Sequence, residues 1–321
     1  MGQKLYKIQV SAPGSLVLIG EHGVLYEHAA LAFAIDKRIK LSLTLRKDRL
    51  IKINSSLGQY CVSLDLPMMN HPLFSFILVA IEHIKPPCGF DLNIISDLDS
   101  GLGLGSSAAI TVAITAALLM LQSHKEPSSK EILAQAHAIV LKTQGKSSGI
   151  DLATSIYGGL IFYSMPQYSV EKIDFIFPIH CVYSGYKTST AQVLKKIVLI
   201  EKECPEIKKI NQSIYTLMGE LSHIAAHALR NKNLKALAQI MNKQQGLLET
   251  LGVSDPKISE IVWKLREQPN IIASKISGSG LGDCVIALGE GNIHSLPYNS
   301  IDCHMHSKGI HIVPITSSYS T

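Results

Sequence analysis

Gly101-Leu102-Gly103-Leu104-Gly105-Ser106-Ser107-Ala108-Ala109 sets a glycine-rich turn directly before a strongly apolar stretch, with paired hydroxyls at the junction. Glycine lets the backbone approach an anion closely, and the first N–H groups of a helix beginning near Ser106 have no intrahelical partner. With the positive end of the helix dipole behind them, those groups suit a phosphate. A hydroxyl at the same place can reach a metal ion held by the phosphates. The spacing is neither the dinucleotide-binding G-x-G-x-x-G nor a Walker loop. Gly145-Lys146-Ser147 ends like a Walker loop, but Val140 stands where the first glycine belongs. Taken alone, the segment also fits a glycine-rich turn leading into a core helix.

On either side of this loop the pattern is mixed. Ile39 to Leu45, Leu50 to Ile53 and Tyr60 to Leu66 alternate apolar and polar residues and read as antiparallel strands. Phe90 to Ile95 is a strand leading into the loop, and Ser107 to Gln122 is a helix too apolar all round to be exposed. A helix over Ser129 to Thr143 precedes the turn-rich Gly145 to Gly149, and Leu160 to Tyr163 is strand-like. From about residue 166 the pattern changes, and a domain boundary near 165 is expected, giving domains of 1–165 and 166–321. A strand region from Phe175 to Tyr183 is followed by amphipathic helices. Ile207, Ile210, Ile214, Leu217, Leu221 and Ile224 recur at three and four residues, one apolar face expected to pack on a sheet. Ile271 to Ile276, Cys284 to Leu288 and Gly309 to Ile315 are the closing strands.

The 321 residues suffice for one large or two medium domains, with two favoured. A net charge of +5, with acids and bases interspersed and no basic block, argues against nucleic acid and suits an anionic small molecule. The six cysteines form no C-x-x-C pair, so neither zinc nor a disulfide framework is indicated, and a cytoplasmic location is expected. The most apolar run, Ala108 to Leu121, is too short to span a bilayer, so no membrane role is expected.

Three separated segments together resemble the GHMP kinase superfamily, most closely its mevalonate kinases. They are Ala12-Pro13-Gly14-Ser15 through Gly20-Glu21-His22-Gly23 to Asp36, the Gly101 to Ala109 loop, and Lys275-Ile276-Ser277-Gly278-Ser279-Gly280-Leu281-Gly282-Asp283-Cys284. The resemblance implies an α+β, two-domain GHMP kinase fold. Its N-terminal domain would be like domain 2 of ribosomal protein S5 and its C-terminal domain ferredoxin-like. ATP and Mg2+ would lie in the cleft between them, with a small-molecule acceptor, mevalonate or a related alcohol; a homodimer is left open.

By the same resemblance, Gly101, Leu102, Gly103, Leu104, Gly105, Ser106, Ser107 and Ala108 are ATP-binding, and Ser107 is a ligand of the metal. Asp151, in Ser148-Gly149-Ile150-Asp151, is the catalytic residue that orients or deprotonates the acceptor alcohol, although an aspartate after Gly-Ile also fits a helix cap. Glu21, His22, Lys187, Thr190, Gly278, Ser279 and Gly280 are expected to bind substrate, His22 as a hydrogen-bond donor. Alternatives stay open: a histidine satisfied in the core, and an ordinary solvated Lys187.

Three departures stand out. Ser15 occupies the place of a lysine that relatives carry, Val140 that of a metal-binding glutamate, and Asp99 that of a common proline. Serine can neither lower the pKa of a neighbouring aspartate nor offset transferring charge. Lys146, close in sequence to Asp151, is one candidate substitute. The departures also allow a ligand sensor built on a kinase fold. Gly20-Glu21-His22 favours mevalonate as acceptor. His137, Gln144-Gly145 and Gly282-Asp283-Cys284 also resemble phosphomevalonate kinases, and a sugar or polyol kinase is a further alternative.

Overall fold

The computed structural model describes residues 5–69, 71–99 and 101–317. An eight-stranded sheet carries the first half of the chain. Its main path runs β12 (His311–Ser317), β1 (Leu5–Ile19), β2 (Ala30–Leu45), β5 (Phe90–Ser96), β3 (Leu50–Ser55), β4 (Gly58–Ser63). β6 (Leu160–Ser164) pairs with the first residues of β2 and with β7 (Ser169–Ile173). The alternating segments are strands as expected, but β2 and β3 are not neighbours. β5 lies between them, antiparallel to β2 and parallel to β3. Alternation reports which face of a strand is buried and carries no information about its neighbour.

One face of this sheet is covered by α1 (Ser75–Ile84), α2 (Ser106–Ser123), α3 (Ser129–Gln144) and α4 (Ile150–Tyr157). α2 is buried at every residue from Thr111 to Leu121. Among the described residues it is the one helix long and apolar enough to cross a membrane, and here it is the central core helix.

A second sheet, ordered β11 (Asn299–Ile301), β8 (Ile179–Tyr183), β10 (Cys284–Gly289), β9 (Ile271–Ser277), is antiparallel throughout. α5 (Thr190–Glu203), α6 (Pro205–Arg230), α7 (Leu234–Thr250) and α8 (Pro256–Arg266) accompany it. The expected boundary near 165 falls in the β6–β7 hairpin of the first sheet, and the chain returns to that sheet through β12.

The apolar face expected on α6 packs only in part, through Ile214 and Leu221. Ile210, Leu217 and Ile224 are about half exposed, whereas Ile214, Tyr215, Met218, Ser222, Ala225 and Leu229 are buried. Small residues decide this: Gly219 lies against His28, where a Cβ would come within 2.8 Å, so the backbone of α6 approaches the β1–β2 connection closely. Counting large aliphatics misses a face built for close approach.

Candidate active site

A cavity of about 240 Å³ opens where the two sheets meet. Its wall is built from five stretches of chain: 15–25, 103–107, 144–151, 187–190 and 277–283. The second of these is the phosphate-loop candidate. α2 begins after Gly105 with no side-chain cap, so its first N–H groups are not taken by a capping side chain. Gly103 and Gly105 both hold left-handed backbone, φ +71° and +72°, and both are crowded. A Cβ on Gly103 would lie 2.9 Å from the Asp283 carboxyl, and one on Gly105 would collide with the Ser15 hydroxyl and come within 3.0 Å of Ser15 N. Only glycine makes this cradle. Ser106 and Ser107 line the cavity beside it, and Ser107 is exposed. Gly101, Leu102, Leu104, Ala108 and Gly280 do not line it. Leu104 is buried beneath, its carbonyl accepting from Ser15 N at 3.1 Å, and the Leu102 carbonyl accepts the Cys284 thiol at 2.8 Å. Asp99, the residue in place of proline, accepts the Gly101 N–H at 3.0 Å and shapes the turn before the loop.

Asp151 projects from the first turn of α4, whose start at Gly149 is also without a side-chain cap. It does not cap the helix; its Oδ1 accepts the Ser15 hydroxyl at 2.8 Å. α4 is anchored on β1 by Ser155 Oγ donating to Pro13 O at 2.7 Å. The preceding turn is pinned by Tyr163 Oη donating to Ser148 O and by His137 Nε2 donating to Ser147 O. Burial pushes the Asp151 carboxyl above the ordinary carboxylate range, opposed by the Ser15 hydrogen bond and by the charge of Lys187.

Glu21 and His22 leave the end of β1. Both line the cavity, but Glu21 is engaged at both oxygens: the ammonium of Lys275 donates to Oε1 and Gln244 Nε2 to Oε2 at 3.0 Å. Lys275, fully buried on β9, also donates to Ile276 O. Burial drives both members of this pair toward their neutral forms, and their attraction opposes it.

His22 holds left-handed backbone, φ 61°, rare for a non-glycine residue. Its Nε2 donates to Ser279 O at 2.9 Å, and burial pulls its pKa down to about 4, so the ring is neutral at pH 7. Nε2 being the donor, Nδ1 is the acceptor, and it has no partner among the described residues. The expected donor is therefore spent on the backbone, and the nitrogen left over accepts.

Lys187, Thr190, Gly278 and Ser279 line the opposite wall with Asp283. Lys187 Nζ is 3.8 Å from Asp283 Oδ1. Lys146 also reaches the cavity, but its ammonium lies over the Tyr26 ring at 4.4 Å, and Tyr26 stacks on Tyr215. Val140 is buried on α3 and offers no oxygen. Lys275, Gln244 and Asp283 were not singled out from sequence. Both Lys275 and Asp283 stand inside the third glycine motif; for Lys275, a charge among buried strand positions was the available signal.

The fold agrees with comparisons to known proteins. Residues 70–159 match the family described as GHMP kinases N terminal domain, and residues 225–294 that described as GHMP kinases C terminal. Mevalonate kinase of Saccharolobus solfataricus is 30% identical over 289 residues, covering 88% of this chain and 90% of the relative. That of Pyrococcus abyssi is 33% identical over 304 residues, covering 88% and 89%. The crystal structure of Methanococcus jannaschii mevalonate kinase superposes with a TM-score of 0.75 at 25% identity, over 92% of this chain and 98% of that one. Lactococcus lactis galactokinase, solved with galactose, reaches a TM-score of 0.82 at 16% identity over 95% of each chain, so the fold by itself does not choose the acceptor. The chain belongs to the GHMP kinases and is a phosphotransferase with an alcohol acceptor.

Proposed function

We propose that this protein transfers the γ-phosphoryl group of ATP to the primary alcohol of mevalonate, giving 5-phosphomevalonate for isoprenoid synthesis, in the cytoplasm. The observation that carries the reading is the placement of Asp151. A half-buried carboxylate, a hydroxyl donor that orients it and an uncapped glycine-lined helix start converge on one cavity. Phosphoryl transfer asks for this combination, since catalysis rests on positioning and charge more than on covalent steps.

Each group then has a task. The N–H groups at the start of α2 and the glycine cradle hold phosphate oxygens. The cradle, which a Cβ would fill, and the exposed Ser107 hydroxyl fit Mg2+, a hard cation that takes few protein ligands and completes its shell with phosphate and water. When bound, Mg2+ neutralises phosphate charge. Asp151 accepts the acceptor's hydroxyl proton as the new P–O bond forms. His22 Nδ1 accepts a hydrogen bond from a second hydroxyl of the acceptor, and Lys146, above Tyr26, offers charge to the acceptor's carboxylate.

The test is ADP release by the purified protein with magnesium and ATP, presented with mevalonate, 5-phosphomevalonate, galactose and homoserine. Turnover with mevalonate alone supports the reading. Turnover confined to 5-phosphomevalonate would transfer the assignment to the phosphorylated acceptor, and ATP binding without ADP from any acceptor would favour a sensor.

A further inference from the structure

Asp151 needs a positive partner, since a largely desolvated carboxylate that must be ionised to accept a proton is otherwise driven to its neutral form. Ser15 supplies a hydrogen bond but no charge. Lys146, the nearest lysine in sequence, is turned to the Tyr26 ring. Lys187, on the loop between β8 and α5, lines the same cavity as Asp151, and its charge opposes the burial that raises the Asp151 carboxyl.

That loop is fastened to the third glycine motif. Ser184 N donates to Asp283 O at 2.9 Å, Asp283 N donates to Tyr186 O at 2.9 Å, and Thr188 Oγ1 donates to Leu281 O at 2.5 Å. Asp283 itself is 7% exposed and in left-handed backbone, φ 63°. Its carboxyl lies against Gly103 of the phosphate cradle, and its Oδ1 has no hydrogen-bond partner, only the Lys187 ammonium at 3.8 Å. A carboxylate so close to the expected phosphates would repel them unless a cation stood beside it.

We infer that Lys187 is the catalytic cation of this active site, acting on Asp151 and on the transferring phosphoryl group from the C-terminal side of the cleft, with Asp283 as its positioning residue. The inference rests on the kinase reading above. In the step it serves, the acceptor oxygen bonds to the γ-phosphorus as the bond from that phosphorus to its bridging oxygen breaks. The hydroxyl proton passes to Asp151, ADP leaves with the bond's electron pair, and Lys187 offsets the negative charge spread over the phosphoryl oxygens. The charged or titratable groups lining the cavity with Asp151 are Lys187, Asp283, Lys146, Glu21 and His22.

The experiment compares kcat, acceptor KM and ATP affinity in the wild type, Lys187→Met, Asp283→Asn, the double variant Lys187→Met with Asp283→Asn, and the double variant Lys187→Met with Ser15→Lys. Loss of one charge donor from a phosphoryl-transfer site should lower kcat about 10²- to 10³-fold, with KM and ATP affinity changed far less. Because Ser15 already touches Asp151, a lysine there returns an ammonium to the same carboxylate, and the double variant should recover at least about tenfold of that loss. Asp283→Asn should lower kcat and add nothing on top of Lys187→Met, as expected of residues that act together.

A kcat for Lys187→Met within threefold of wild type would overturn the proposal, as would a rise in acceptor KM with kcat retained. So would failure of Ser15→Lys to rescue. If the wild type itself releases no ADP with any acceptor, the mevalonate reading fails separately. The charge contact is then read by carbon NMR titration of the Asp151 carboxyl, assigned with Asp151→Asn. Lys187→Met should move that titration to higher pH, and an unmoved titration would overturn the inference by itself.

Discussion

Replacing Lys275 by methionine removes the cation from a wholly buried pair and leaves the Glu21 carboxylate with Gln244 alone. Methionine keeps most of the stem's volume, so the loss is mainly electrostatic. Breaking a buried pair from one side costs about 3–5 kcal/mol, because the remaining charge must either stay unpaired in low dielectric or take up a proton. For 321 residues unfolding together, an entropy of about 2.1 cal/mol/K per residue turns 4 kcal/mol into a fall of roughly 6 °C in Tm. The sign with pH is fixed as well. In the variant, Glu21 in the folded state has its pKa raised by burial above the unfolded value, so protonation favours folding. The destabilisation is therefore largest near pH 8 and shrinks as pH falls toward 5. Urea denaturation at both pH values, with Glu21→Gln and the double variant completing the cycle, reads this directly. The double variant, with both charges gone, should lie within about 1–2 kcal/mol of wild type. A cost below 1 kcal/mol for Lys275→Met, or one that does not vary with pH, would refute the claim that this pair fastens β1, α7 and β9 together.

Other perturbations follow from the same geometry. His22 is buried neutral with its pKa lowered from 6.5 to about 4, so stability present above pH 6.5 is lost as pH falls toward 4, by ~3 kcal/mol; His22→Gln should remove that part of the pH dependence in urea melts. Gly105→Ala must hold an L-residue in left-handed backbone, at about 1–2 kcal/mol, and displace the Ser15 hydroxyl; isothermal titration should show ATP binding weakened about tenfold or more. Burial raises the Asp151 carboxyl, so the acid limb of kcat/KM should fall at a pH above the ordinary carboxylate value, with activity lost as pH drops through it. Ser15→Ala, which deletes a donor to the carboxylate, should move that limb higher still.

The local parts of the site were legible in the sequence because their chemistry is contiguous. Gly103, Gly105 and Ser106 announce a helix start with free N–H groups within a few residues, whereas α4 was not read as a helix and Asp151, which fitted a helix cap from sequence, caps nothing. What the sequence withheld depends on contacts between distant residues. That Lys275 neutralises Glu21, 254 positions away, has no local signature. The placement of Lys187 beside Asp283 comes from a register between loops, and proximity in the chain pointed instead to Lys146. The His22 tautomer is set by a carbonyl at Ser279, which turned an expected donor into an acceptor. In the fold, β5 entering between β2 and β3 and β12 closing on β1 are choices of strand partner that alternation leaves open. On α6 the error was one of weighting, since Gly219, Ser222 and Ala225 bury closely while Leu217 and Ile224 face solvent.

Asp151 as the group that takes the acceptor's proton is the central claim of this mechanism. Phosphorus NMR of a reaction holding ATP, magnesium and mevalonate, run with wild type and with Asp151→Asn, measures it directly, with ATP affinity taken on both proteins. The wild type should give 5-phosphomevalonate and ADP, while Asp151→Asn binds ATP nearly as well and forms product at least about 10²-fold more slowly. Product formed by Asp151→Asn at the wild-type rate would contradict the account.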